Sequence, residues 1–145
     1  MAHKFSLAAV LRVRGIIEER EESNLQKILF EINQVFQAIE RTDALLADSE
    51  NARYADVLKP SIGLHIQASY AEVKNLKQLR KNLEAQIQKL EAARDAQIII
   101  YETAKRNRQM LTDMRQKQRD VYNAELTKRE QKIMDDNYIA RRGRF

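Results

Sequence analysis

One stretch constrains this chain more than any other. From about Ser61 to Asn137 there is no proline and, after Gly63, no glycine. The residues are mostly strong helix formers. Apolar side chains recur at Ile62, Ile66, Val73, Leu76, Leu83, Ile87, Leu90, Tyr101, Ala104, Leu111 and Tyr122. All of them fall on one alternating four-three spacing, the a/d seam of a coiled coil. A helix of that span would be roughly 110 Å long at about 1.5 Å per residue. No globular domain of 145 residues houses such a helix internally. It needs a partner along its length, and the rest of the chain has the pattern of that partner.

A second seam runs through Leu7, Leu11, Arg14, Glu18, Glu21, Leu25, Ile28, Ile32, Val35, Ile39, Thr42 and Leu46 without a slip. Ser6 is the candidate N-cap, with Phe5 placed to staple onto Val10. Gly15 weakens the early turns by roughly 1 kcal/mol relative to alanine. Lys59-Pro60-Ser61 cannot lie inside a regular helix, because proline lacks the N–H and clashes with the preceding turn. The reversal is therefore expected at about 59–62, with a break near 48–51 as the alternative. The chain reads as a single coiled-coil domain, 1–145: helix 1 over about 6–58, helix 2 over about 63–138, and a frayed tail at 139–145. The expected fold is all-α, two long helices forming an antiparallel coiled-coil hairpin, the second longer and protruding.

Folding back at Pro60 places residue i roughly opposite residue 120 − i. Glu18 and Glu21 then face a stretch bracketed by Arg94 and Arg108, a polar register device within the seam. Everything from about Gln116 to Tyr138 extends past the end of helix 1.

Composition narrows the chemistry. There is no cysteine, which excludes disulfides and cysteine-based metal sites. The only histidines, His3 and His65, are isolated. No phosphate-cradling glycine loop and no Gly-x-Ser-x-Gly is present. A two-helix rod encloses no pocket to perturb its many carboxylates. No catalytic, metal or cofactor-binding residue is expected, and no enzymatic activity; function must come from surface contacts. No apolar run reaches signal-peptide or membrane-span length, so the expected location is cytoplasmic.

The net charge of +5 is uneven. Residues 105–145 carry twelve Lys/Arg against six Asp/Glu, whereas residues 1–60 carry eight against ten. Such an asymmetry fits an acidic partner for the C-terminal end, or a merely solvated tail. Phe30, Phe36, Leu45, Tyr54, Leu58, Tyr70, Leu79, Ile98, Ile99, Ile100 and Met110 lie off the strict seams. Most of them are expected to widen the seam at e and g positions. Ile98-Ile99-Ile100 cannot all face one side, so at least one is expected to be exposed.

Two stretches carry a family resemblance. One is the opening Phe5-Ser-Leu7-Ala-Ala-Val10-Leu11-Arg12-Val13-Arg14 with the acidic Glu18-Glu19-Arg20-Glu21-Glu22. The other is Lys128-Arg129-Glu130-Gln131-Lys132-Ile133-Met134-Asp135-Asp136, then Ala140-Arg141-Arg142. With these stretches, its size and its two-helix organisation, the chain resembles the FliJ family of the bacterial flagellar type III export apparatus. The resemblance implies a non-enzymatic stalk similar to the central subunit of rotary ATPases. Such a stalk binds the hexameric export ATPase and promotes its assembly and activity. It also contacts the cytoplasmic domain of the export-gate membrane protein, and it interacts with substrate-specific export chaperones. It would sit at the inner membrane peripherally, through partners, without insertion. On this carry-over Phe5, Leu7, Val10, Leu11, Arg14, Tyr122, Lys128, Arg129 and Lys132 face the ATPase, and Leu45, Tyr54, Tyr70, Val73 and Leu76 face the gate. The equivalent stalk of a virulence-type secretion system is the alternative. A basic nucleic-acid binder and a structural parallel homodimer stand further off, since acidic residues are interleaved and no recognised binding motif is present. No small-molecule substrate and no nucleic acid is expected.

Overall fold

A computed structural model describes residues 4–57 and 63–143. Two helices account for nearly all of them: α1, Ala8–Val57, and α2, Gly63–Arg142. Among the described residues there is no strand. The helices pack antiparallel against each other. The reversal expected at 59–62, including Pro60, lies outside the described residues, as do Leu58, Ile62 and His3. Helix α1 does not break at 48–51, and α2 runs past the expected end at 138 to Arg142.

Each helix forms because its interior is almost free of residues that stop one. Helix α1 opens with the Phe5 carbonyl accepting from the Ala8 N–H at 3.1 Å and the Leu7 carbonyl from the Leu11 N–H at 2.9 Å. Phe5 is buried while Val10 is exposed. At the other end of the chain, the Gly143 N–H closes α2 on the Ile139 carbonyl. Arg141 and Arg142 lie in that last turn, where cations complement the helix dipole.

The contacts divide the chain into two compact units. The first combines 1–20 with 101–145; the second is 21–100. The second contains an apolar cluster of buried residues, Ile32, Val35 and Ile87, flanked by Ile28, Ile39, Leu83 and Leu90. All seven are seam positions. Cross-helix contacts there pair Arg53 with Tyr70, Asp43 with Arg80 and Glu21 with Gln97, the antiparallel order. Thr42 is also buried on the seam, and its hydroxyl is satisfied within its own helix by donating to the Ala38 carbonyl at 2.8 Å. In the first unit Ala104 is buried, and Leu7, Leu11, Glu18, Tyr101 and Leu111 are half-buried.

The off-seam residues do not widen the seam as expected. Phe30, Phe36, Leu45, Tyr54, Tyr70, Leu79, Ile99, Ile100 and Met110 are all exposed, and Ile98 alone is half-buried. With two helices and no third element among the described residues, only the a/d stripe of each finds a facing surface. The core is correspondingly thin: among the described residues no large side chain is fully buried. Replacing Ile87 by alanine should therefore lower stability by about 2 kcal/mol, the small end of the usual range for such truncations. The same change at the exposed Phe30 should cost little. Thermal unfolding followed by helical circular dichroism distinguishes the two.

Candidate protein-interaction surfaces

In the first unit the α1 opening presents a shallow apolar groove lined by Ala9, Val10, Val13, Arg14 and Ile17. Val10 is 42% exposed and Val13 54%. Of the other residues expected to face the ATPase, Leu7 and Leu11 are half-buried and Arg14 is exposed. Phe5 supports this end from inside, so a partner reaches the surface beside it.

The same unit contains a charged contact between the two helices. Arg108 Nε donates to Glu18 Oε2 at 2.6 Å and Nη2 to Oε1 at 3.2 Å, a forked pair. The Glu18 side chain is 15% exposed and that of Arg108 32%. The hydrogen bond to Arg108, aided by the charges of Arg108 and Lys105, holds the Glu18 carboxyl below its ordinary value against the opposing effect of burial. The same hydrogen bond raises the Arg108 guanidinium, which stays charged. Because the folded-state value of Glu18 is the lower one, this contact stabilises the unit fully above the ordinary carboxyl value of 4.5. The contribution is lost as pH falls through the lowered value. Hydrogen exchange at 101–112 should accelerate between pH 5 and pH 3 relative to intrinsic rates, roughly the carboxylate range. In Glu18→Gln that pH-dependent part should disappear.

Farther along α2, every described residue beyond Thr112 is exposed except Tyr122, which is half-buried. Tyr122 lines a shallow depression with Lys117, Gln118, Val121 and Glu125. Lys128, Arg129 and Lys132 are exposed, and their spacing puts Lys132 one turn from each of the other two. Ile133 and Met134 beside them are 59% and 70% exposed.

In the second unit the expected gate-facing residues separate by burial. Leu45, Tyr54 and Tyr70 are exposed, Leu76 is half-buried and Val73 is 4% exposed. The Arg53 guanidinium carbon sits 4.0 Å from the centre of the Tyr70 ring, a cation–π contact. Val73 lies in the lining of a groove whose rim is Arg53, Tyr70, Lys74, Lys77, Gln78 and Lys81. The cations of this rim were not among the expected site residues. Their signal in the sequence is the lysine spacing of three and four residues.

The two acidic seam residues do meet partners across the helix pair, in their respective units. Glu18 takes Arg108, Glu21 accepts from Gln97, and Arg94 bonds to the adjacent Asp95. Among the described residues, no group of three or more potential ligands could hold a metal ion, and no helix is long and apolar enough to cross a membrane.

Fold and surface together define an antiparallel two-helix coiled coil whose large exposed side chains lie on its outer faces. Comparison with protein-family models, curated proteins and solved structures finds no match.

Proposed function

We propose that this chain is a non-enzymatic stalk and adaptor of the flagellar type III protein export apparatus. It binds the hexameric export ATPase, promotes its assembly and activity, and links it to the export gate and to substrate chaperones. It works in the cytoplasm and reaches the inner membrane only through these partners. The observation that supports this reading most is the exposed run of α2 beyond Thr112. It carries Lys128, Arg129 and Lys132 beside uncovered Leu126, Ile133 and Met134. A helix with that mixture of charge and apolar surface, and no covering element among the described residues, is suited to docking. The resemblance of the opening and closing stretches to the FliJ family supplies the partner.

The test is direct. Purified chain is added to the export ATPase of the same source, and hydrolysis and particle mass are followed together. Stimulated hydrolysis with a shift toward hexamers is expected. No complex and no change in rate at micromolar chain would remove the export reading.

A further inference from the structure

The groove of Arg53, Tyr70, Val73, Lys74, Lys77 and Lys81 is an unbalanced electrostatic feature. On a helix, charges three and four residues apart are neighbours. Lys74 and Lys77 are such a pair, and so are Lys77 and Lys81, so α2 carries like-charge repulsion twice in succession. At the positions three and four away from these lysines, Glu84 is the sole carboxylate, and Arg80 already bonds it. Arg80 also bonds Asp43 on the facing helix. Glu84 and Asp43 are thus committed to Arg80, and no carboxylate lines the groove.

We infer that this groove is a docking site for an acidic helix of a partner protein, with glutamates at i, i+3 and i+7 set against Lys74, Lys77 and Lys81. Three features favour that occupant over a nucleic acid. The lysines run along one helix over about 10 Å, the repeat at which a packed helix presents carboxylates. The groove contains apolar surface, chiefly the exposed Tyr70 ring with buried Val73 beneath, which suits the apolar edge of an amphipathic helix. One face of Tyr70 is already covered by Arg53, which leaves a poor stacking platform for bases. The groove shares Tyr70 and Val73 with the expected gate-facing set. The inference depends on the export reading only for where the partner resides, not for its chemistry. ATPase stimulation tests the former and peptide binding the latter, and either can fail alone.

The experiment uses the full chain and a fluorescent synthetic helical peptide of about 20 residues, enough for several turns. The peptide carries Glu at i, i+3 and i+7 with Leu beside them. A matched peptide with Gln for Glu, a single-stranded RNA and phosphatidylserine vesicles are run in parallel. The acidic peptide is expected to bind about tenfold or more tightly than its Gln counterpart, with affinity falling as salt rises. The Lys77→Glu/Lys81→Glu variant should lose that preference and gain one for a peptide with Lys in place of Glu. Lys117→Glu, in the other unit, should change nothing. Equal binding of the Glu and Gln peptides by the unaltered chain would overturn the proposal. So would tighter binding of the RNA or the vesicles, or an unchanged preference in the folded double variant.

Discussion

Exchanging Arg129 and Lys132 for glutamate should abolish stimulation of the export ATPase while leaving the helix pair folded. Both side chains are exposed and bury nothing against α1. The exchange creates new like-charge pairs, Glu125 with position 129 and position 132 with Asp135 and Asp136, each costing a few tenths of a kcal/mol locally. Helix content and the melting of the seam should therefore stay near those of the unaltered chain. Docking is different, because a helix with no packing partner is only marginally stable in water and gains order from what it binds. A tip whose cations meet an acidic surface loses attraction twice on charge reversal, by removal and by repulsion. The neutral Arg129→Gln/Lys132→Gln variant should retain intermediate stimulation. For the unaltered chain the effect should weaken as salt rises, since exposed charges are screened beyond about 10 Å at 0.1 M. Equal stimulation by all three proteins would make the tip a bystander and move the contact to Val10 and Arg14.

Periodicity reveals the buried stripe well because a helix offers one face at a time. Every four-three position of the α1 seam from Leu7 to Leu46 but one is buried or half-buried. Arg14 is the exception, a long cation that keeps its head in water. On α2 the same phase also carries Ser69, Arg80, Arg94, Gln97 and Arg108, all half-buried. An apolar reading passes over them, although the spacing includes them. Periodicity does not tell whether a third element covers the flanking positions, which is why Phe30, Phe36 and Leu45 were expected to be partly inside. The tip at Lys128 to Lys132 is readable as charge alone. The groove at Lys74 to Lys81 is not, because its character depends on Arg80 engaging the nearby carboxylates, a matter of geometry across two helices. Partner identity is weakly encoded in any helix surface, since similar charged and apolar mixtures recur on unrelated coiled coils.

Gln97→Leu should destabilise the second unit by about 2–3 kcal/mol, and adding Glu21→Leu should restore most of the loss. Glu21 is 9% exposed. Gln97 Nε2 donates to its Oε2 at 2.6 Å and to its backbone carbonyl at 3.1 Å, and Asn24 approaches the same oxygen at 3.4 Å. Removing Gln97 takes a 2.6 Å hydrogen bond from a carboxylate in the seam, and the desolvation of that charge is less well offset. Replacing both partners by leucine removes the charge itself, and apolar pairs in place of buried polar ones are often neutral or stabilising. A double-mutant cycle on thermal unfolding should therefore be strongly non-additive. The consequence for register is separate. Thr42 is satisfied within its own helix, and the exposed Asp43–Arg80 pair contributes little. Glu21 with Gln97 is a polar contact across the seam of the second unit, the kind that fixes alignment in a coiled coil. Spin labels at the exposed positions Lys27 and Lys89 should give one narrow distance in the unaltered chain. In the Glu21→Leu/Gln97→Leu variant the distribution should broaden toward a population displaced by about 10 Å, one heptad of rise. A single unchanged distance would assign register to the Ile32–Val35–Ile87 packing instead, and the polar contact would then be a tolerated cost of the sequence with no role in alignment.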